Sequence, residues 1–160
     1  MTLRRRLTAR VLLFDPKGRL LLMKGRLPSA PERDGAWFTV GGGADPGETV
    51  LQAAAREIVE ETGFTEFELG PVVWRREGPL ALATETVWMD EHYVLARCPG
   101  GEPARHGWQA DEQAHIDDIR WWSHAELKAT GERVFPPDLP ALLEDIVAGR
   151  LPADPVSIRW

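Results

Sequence analysis

The chain has 160 residues and a formal net charge of −6, and these two properties exclude several kinds of protein. A chain of this length can form one domain with a sizeable core, so we predict a single domain over residues 1–160. The net negative charge argues against strong nucleic-acid binding through bulk electrostatics. Residues 1–40 carry nine Lys or Arg and three Asp or Glu, so the excess negative charge lies in residues 41–160. An acidic body attracts a polyanion poorly unless a cation intervenes, which favours a bound metal ion.

The sequence predicts a cytoplasmic protein that makes no contact with a membrane. No apolar run approaches the length of a transmembrane helix. The basic start is similar to a signal peptide, but the apolar run Val11–Phe14 ends at Asp15 and is too short for one. The single cysteine, Cys98, cannot form an internal disulfide, as expected in a reducing compartment.

Alternating apolar residues between turn signals predict six strands. They are Leu7–Phe14, Arg19–Lys24, Ala36–Val40, Phe67–Arg76, Thr84–Arg97 and Ile119–Trp122. Gly78-Pro79 is predicted to join the fourth strand to the fifth. Helices are predicted at about residues 50–62, after Ser123, and from Pro136 to Val147. This order indicates an α/β fold in which a mixed sheet is covered by helices on both faces.

The central helix has clear signals at both ends. Thr49 and Gln52 form a capping-box pattern, and Gly63 is suited to a left-handed C-terminal cap. The helical periodicity predicts a buried stripe, with an acidic arc beside it that points into a crevice at the edge of the core. The predicted stripe consists of Leu51, Ala54, Ala55, Ile58 and Thr62.

Three acidic residues of this helix, Glu57, Glu60 and Glu61, are spaced at i, i+3 and i+4 and therefore share one face. Such neighbouring like charges repel by a few tenths of a kcal/mol per pair on an isolated helix. A bound hard cation such as Mg²⁺, which prefers oxygen ligands, explains the cluster. A solvated acidic helix face is the alternative. Arg56, beside Glu57 and four residues before Glu60, can orient a carboxylate.

The residues before the helix form a glycine-rich segment. Gly41–Gly43 and Pro46-Gly47 allow sharp turns and a close approach of the backbone to a ligand. The segment is neither a dinucleotide fingerprint nor a P-loop.

Together, these residues resemble the Nudix box, G-x5-E-x7-R-E-U-x-E-E-x-G-U, in which U is apolar. Seven invariant positions match, which by chance happens on the order of once in 10⁸ start points. One departure precedes the box, because Val40 stands where many members have proline. The matching residues are Gly42, Glu48, Arg56, Glu57, Ile58, Glu60, Glu61, Gly63 and Phe64.

The resemblance implies a Nudix-type α/β/α sandwich and hydrolysis of a phosphoanhydride bond with Mg²⁺, or with Mn²⁺ in its place. It implies Glu57 and Glu61 as metal ligands and Glu60 as a ligand directly or through water. A backbone carbonyl near Gly41 or Gly42 completes the shell in many members. Glu48 is implied to hydrogen-bond Arg56 or a metal-bound water, although an acid near a helix N-terminus is also favoured by the helix dipole.

The general base is left open by the sequence. Members of the family recruit it from the box, here Glu57 or Glu60, or from a loop before a late strand. Glu112, in the segment before Ile119–Trp122, is the loop candidate. The alternative is that Glu112 is an ordinary charged loop residue without a catalytic role.

Basic residues outside the box are candidates for binding substrate phosphates. Lys24 and Arg26 are expected near the glycine segment, where Gly41 and Gly43 allow close approach to the substrate. The other basic run, Arg4–Arg6, is more simply explained as a solvated terminal arm.

The implied substrate is a small nucleotide: a nucleoside diphosphate linked to another group, as in ADP-ribose, or a nucleoside triphosphate. Pro79 lies 15 residues after Phe64, near where ADP-ribose hydrolases of the family often have a proline. This indication is weak because the chain has 13 prolines. A homodimer is suggested by family analogy alone.

Two alternatives are considered. A catalytically silent Nudix-fold module could sense a nucleotide, but it would not need so many like charges. An isoprenoid-diphosphate isomerase shares the fold, but would need Cys98 as its active-site cysteine.

Overall fold

A computed structural model describes residues 2–26, 35–104 and 116–159. Within these ranges the chain forms eight strands and three helices. The strands are β1 (Arg4–Phe14), β2 (Leu20–Gly25), β3 (Ala36–Gly43), β4 (Glu68–Ala81), β5 (Thr86–Arg97), β6 (Ile116–Trp122), β7 (Val134–Phe135) and β8 (Val156–Ser157). The helices are α1 (Val50–Thr62), α2 (His124–Ala129) and α3 (Leu139–Val147). No helix in this part of the chain is long and apolar enough to cross a membrane.

The strands form one mixed sheet in the order β6-β2-β3-β1-β5-β4-β8, and β7 pairs with β3. The strand β1 lies in the middle, antiparallel to β3 and parallel to β5. It pairs with β5 from Arg4 opposite Val87 to Phe14 opposite Arg97. A central strand of this kind has both faces covered, so its apolar residues form a nearly continuous run.

The two faces of the sheet support two cores. Side chains of a strand alternate between faces, so Val11 and Leu13 of β1 pack in one core and Leu12 and Phe14 in the other. The first core includes Ile58 of α1. The second includes residues of α2 and α3, namely Leu127, Leu139, Leu143 and Ile146. The predicted mixed sheet with helices on both faces is therefore confirmed.

The helix α1 spans residues 50–62, as predicted, and both of its predicted caps are present. The Gln52 N–H donates to Thr49 Oγ1 at 3.1 Å, and the Thr49 N–H donates to Gln52 Oε1 at 2.9 Å. Gly63 has φ 75°, in the left-handed region. The predicted buried stripe is partly wrong, because Leu51 is 45% exposed whereas Glu57 and Glu61 are buried.

Other strand predictions need correction. Gly78 and Pro79 do not join two strands but lie within β4, opposite Met89 and Trp88 of β5. The strand β3 does not end at Val40 but continues to Gly43, because the glycines pair with β1. The two-residue strands β7 and β8 are too short to give a periodic signal.

Candidate active site

The glycines at the end of β3 allow the backbone to pass close to two neighbours. Gly41 has φ 143°, and a Cβ there would overlap the carbonyl oxygen of Ala9. A Cβ at Gly42 would overlap the carboxylate of Glu57, which therefore lies directly over this glycine. Neither position can take a larger side chain without local movement.

Arg56 ties the glycine segment to the acidic residues of α1. Its Nε and Nη2 donate to the two carboxylate oxygens of Glu48 at 2.9 and 2.8 Å. Its Nη1 donates to Glu57 Oε1 at 3.1 Å and to Glu60 Oε2 at 3.2 Å. Its Nη2 also donates to the Gly43 carbonyl at 2.9 Å. One planar guanidinium therefore fixes three carboxylates relative to the end of β3.

The charges of this cluster stabilise one another. Hydrogen bonds from Arg56 and from the Asp45 N–H lower the pKa of Glu48 to about 2. The hydrogen bond with Glu48, together with the charge of Glu57, raises the pKa of Arg56 further above its already high value. Both groups are therefore ionised throughout the physiological pH range.

The acidic residues differ in exposure. Glu57 is 7% exposed and Glu61 is 5% exposed, whereas the side chain of Glu60 is about one-third exposed, at 34%. Buried carboxylates beside backbone oxygens are the donors that a hard divalent cation prefers, so their chemistry fits such an ion. In the described residues, however, no three His, Cys, Asp or Glu side chains are already grouped around a metal position. Arg56 instead holds Glu57 and Glu60 in ion pairs.

The structure does not support the expected proximity of Lys24 to the glycine segment. Lys24 pairs with Trp37, near the start of β3, whereas the glycines lie at the end of that strand. Its Nζ lies 3.0 Å from Glu132 Oε1. Arg26 follows β2 and is exposed. The substrate-binding role of Lys24 and Arg26 stays a prediction. The loop candidate for the general base, Glu112, lies outside the described residues.

Cys98 does not have the properties of an active-site cysteine. Its side chain packs in the core beneath α1, and the residue is 7% exposed. Burial raises the pKa of the thiol, which disfavours the thiolate. The structure therefore gives no support to the isomerase alternative.

Sequence reasoning missed a set of charged residues on the face of the sheet opposite α1. Arg10 Nε of β1 lies 3.5 Å from Glu91 Oε1, and Glu91 also forms a buried ion pair with Arg76. Burial opposes the charge of Arg10, but nearby Glu91 and Glu61 outweigh it and raise the pKa of Arg10. The available signal was that Arg4, Arg6 and Arg10 all occupy even positions of β1 and therefore share one face.

Comparisons with known proteins agree with this geometry. The family model described as "NUDIX domain" matches residues 4–142. An RNA pyrophosphohydrolase of Caulobacter vibrioides is 32% identical over 143 residues, covering 79% of this chain and 74% of the relative. An oxidized purine nucleoside triphosphate hydrolase of Danio rerio is 36% identical over 112 residues, covering 68% and 65%.

The solved structure of the E. coli dihydroneopterin triphosphate pyrophosphohydrolase shares the fold. Its TM-score is 0.66 at 17% identity, with 93% of this chain and 99% of that chain covered. The chain belongs to the NUDIX domain family. It is a pyrophosphohydrolase that cleaves phosphoanhydride bonds, as the box predicts. Enzymes of this family act on small nucleotides and generally use a divalent metal ion.

Proposed function

We propose that the protein uses Mg²⁺ to hydrolyse the diphosphate bridge of a nucleoside diphosphate linked to another group, or of a nucleoside triphosphate. The observation that carries this proposal is the position of the Glu57 carboxylate. It is buried, lies over Gly42, and is held there by Arg56, which also binds the Gly43 carbonyl. Mg²⁺ is proposed, with Mn²⁺ as a substitute, because carboxylate and carbonyl oxygens suit both ions.

We assign the metal to Glu57 and Glu61, with Glu60 binding it directly or through water and the backbone at Gly42 contributing a carbonyl. A metal ion bound there would neutralise phosphate oxygens and lower the pKa of the attacking water. Buried carboxylates position such an ion more rigidly than exposed ones, since their rotamers are fixed by packing. This supports Glu57 and Glu61 as the principal ligands.

The remaining residues orient the reacting groups. Arg56 holds the carboxylates, and Glu48 holds Arg56 through two hydrogen bonds. Gly41 and Gly43 are proposed to bind the substrate through their backbone, and Lys24 and Arg26 are proposed to contact its phosphates. The proton of the attacking water passes to a carboxylate, for which Glu57, Glu60 and Glu112 are the candidates.

A turnover screen tests this proposal and narrows the substrate. The screen uses Mg²⁺ or Mn²⁺ with ADP-ribose, purine nucleoside triphosphates including oxidized forms, and a 5′-triphosphorylated RNA. The last two reflect the names of the relatives in Danio rerio and Caulobacter vibrioides. Product masses identify the bond that breaks.

The matched control for the screen is the Glu61→Gln variant, which keeps the shape of the side chain and removes its charge. We expect the wild-type protein to be active and the variant to lose metal-dependent turnover while remaining folded. Nucleotide binding without hydrolysis by the wild type would instead favour a sensing module. A single domain over residues 1–160, a cytoplasmic location and a homodimer stay predictions.

A further inference from the structure

We infer that Arg6 binds a phosphate group of the substrate, on the face of β3 opposite Glu57. This inference rests on the proposed function, because it adds a contact to the same substrate. Arg6 would hold a phosphate of the bridge by direct hydrogen bonds, while the carboxylates of α1 act on the other phosphate through the metal.

The first observation is the position of the Arg6 guanidinium. Its Nε and Nη2 lie 3.5 and 3.6 Å from the point where a Cβ on Gly43 would be. The preceding residue, Gly42, lies under the carboxylate of Glu57. Successive residues of a strand face opposite sides of the sheet, so Arg6 and Glu57 flank the end of β3 from its two sides.

The second observation is that the sheet ends beside Arg6. Pairing of β3 with β1 runs as far as Gly43 opposite Thr8. The strand β1 continues to Arg4, and over Arg4–Leu7 its strand partner is β5. The chain makes one more hydrogen bond to β1 after β3, from the Ala44 N–H to the Leu7 carbonyl at 2.9 Å. A diphosphate that contacts both faces would therefore lie beyond Ala44, where Arg6 has no partner from β3.

The third observation distinguishes Arg6 from its neighbours. Arg4 forms an ion pair with Glu85, and Arg5 Nη2 lies 2.8 Å from Asp90 Oδ2 and 3.0 Å from Glu77 Oε2. Arg6 is half-buried and makes no hydrogen bond or close ion pair with any residue that the structure describes, although the pKa of Glu85 is lowered by its hydrogen bond with Arg4 and by the charges of Arg4 and Arg6. A partly desolvated cation of this kind gains from an incoming anion.

Thr8, the next residue on this face of β1, is not part of the inferred contact. Thr8 follows Arg6 on the same face of β1 and lies opposite Gly43. The residue is 1% exposed, and its hydroxyl has no hydrogen-bond partner in the described part of the chain. The hydroxyl is sealed from solvent and lies more than 4 Å from the Cβ position of Gly43, so the inference depends on Arg6 and not on Thr8.

Calorimetry with the non-hydrolysable analogue α,β-methylene-ADP, in the presence of Mg²⁺, tests the inference. We expect Arg6→Gln to raise the Kd about 10- to 100-fold, because a charge-assisted hydrogen bond is lost. Arg6→Lys keeps the charge and should recover part of this loss. Arg5→Gln, which removes an arginine of the same strand that pairs with Asp90 and Glu77, is the matched control and should change the Kd by less than about twofold.

The salt dependence of the Kd distinguishes an ionic contact of Arg6 with the ligand from a purely structural role. The difference in Kd between the wild type and Arg6→Gln should shrink as ionic strength rises, because the lost contact is ionic. Equal Kd values for Arg6→Gln and Arg5→Gln, or no binding by the wild type, would overturn the inference. If the wild type binds the analogue but hydrolyses no nucleotide, the proposed function fails. The Kd values of the Arg6 variants would still show whether Arg6 binds a phosphate group.

Discussion

Arg56 contacts four carboxylates, those of Asp45, Glu48, Glu57 and Glu60. A lysine at this position keeps the charge but cannot bind two oxygens of Glu48 and also reach α1. We therefore expect Arg56→Lys to lower kcat/KM by about 10- to 100-fold, the usual effect of removing a group that orients a ligand. Steady-state kinetics measure this.

The control for Arg56 is Arg19→Lys, which alters a 2.7 Å ion pair with Asp15 in the β1–β2 turn. Its kcat/KM should equal that of the wild type. Equal kcat/KM values for Arg56→Lys and Arg19→Lys would show that catalysis does not depend on the planar guanidinium of Arg56.

The pKa of Glu48 makes a prediction about stability. Its carboxyl has an ordinary pKa of 4.5, lowered to about 2 in the folded protein by Arg56. A lowered folded-state pKa stabilises the protein above pH 4.5, and this contribution is lost as the pH falls from 4.5 towards 2. Urea unfolding of the wild type and Glu48→Gln should therefore show a difference that diminishes over this interval. A difference independent of pH would contradict the assignment.

Gly41 and Gly43 should respond differently to alanine. At Gly41 the φ of 143° is strained for other residues, and a Cβ would overlap Ala9. Gly41→Ala should lower the free energy of unfolding by roughly 2–4 kcal/mol. A Cβ on Gly43 would lie 3.5 Å from its nearest neighbour, which is an ordinary contact distance. Gly43→Ala should therefore change the free energy of unfolding by less than about 1 kcal/mol. Equal effects in urea unfolding would argue against this backbone path.

At the scale of the element, the orientation of α1 can be tested by two truncations. Ile58 is fully buried, whereas Leu51 is 45% exposed. Ile58→Ala should destabilise the protein by about 2–5 kcal/mol because it leaves a cavity. Leu51→Ala should cost less than about 1 kcal/mol. If urea unfolding shows a large loss of stability for Leu51→Ala, Leu51 is buried, as the periodicity predicts.

The elements show why some features are readable from the sequence and others are not. The limits of α1 follow from local chemistry, because Thr49, Gln52 and Gly63 cap it through their own hydrogen bonds and backbone angles. Apolar periodicity predicts the buried Ala54, Ile58 and Thr62 correctly, but it includes the exposed Leu51 and leaves out the buried Glu57 and Glu61. Periodicity does not report a carboxylate that is buried for function.

The strand β4 illustrates a second limit. Pro79 suggested a break, but it pairs with Trp88 of β5 on one side. On the other side, β8 pairs only with Trp74 and Arg75 of β4. Within the described residues, Pro79 therefore lies where β4 is an edge strand, a position at which sheets accept proline. Edge position depends on the whole topology, which no local window contains.

At the scale of the whole molecule, metal binding should raise stability. An ion that binds only the folded chain stabilises it by RT ln(1 + [L]/Kd), or about 2.7 kcal/mol at 100 times the Kd. Adding Mg²⁺ should therefore raise the Tm of the wild type in thermal unfolding. Glu57→Gln should show little or no such rise at the same concentration, and a full rise would remove Glu57 from the ligand set.

The whole fold also explains how much of the site was predictable. The box residues are close in sequence, on α1 and beside its two ends, so their spacing was enough to predict that Arg56, Glu57 and Glu60 lie together. Arg6, Thr8 and Gly43 meet only through the antiparallel pairing of β1 with β3, across 35 positions of the chain. A contact of this kind depends on strand register, which the sequence pattern alone does not specify.

The ion pairs of Arg56 with Glu57 and Glu60 have a further consequence. The Arg56 guanidinium neutralises part of the negative charge of these carboxylates, so folding does not require a bound metal ion. An arriving metal must then compete with this arginine for the same oxygens. We therefore expect the newly made protein to fold in the presence of a chelator, and to acquire its cofactor afterwards, most readily when the cation arrives already bound to the nucleotide.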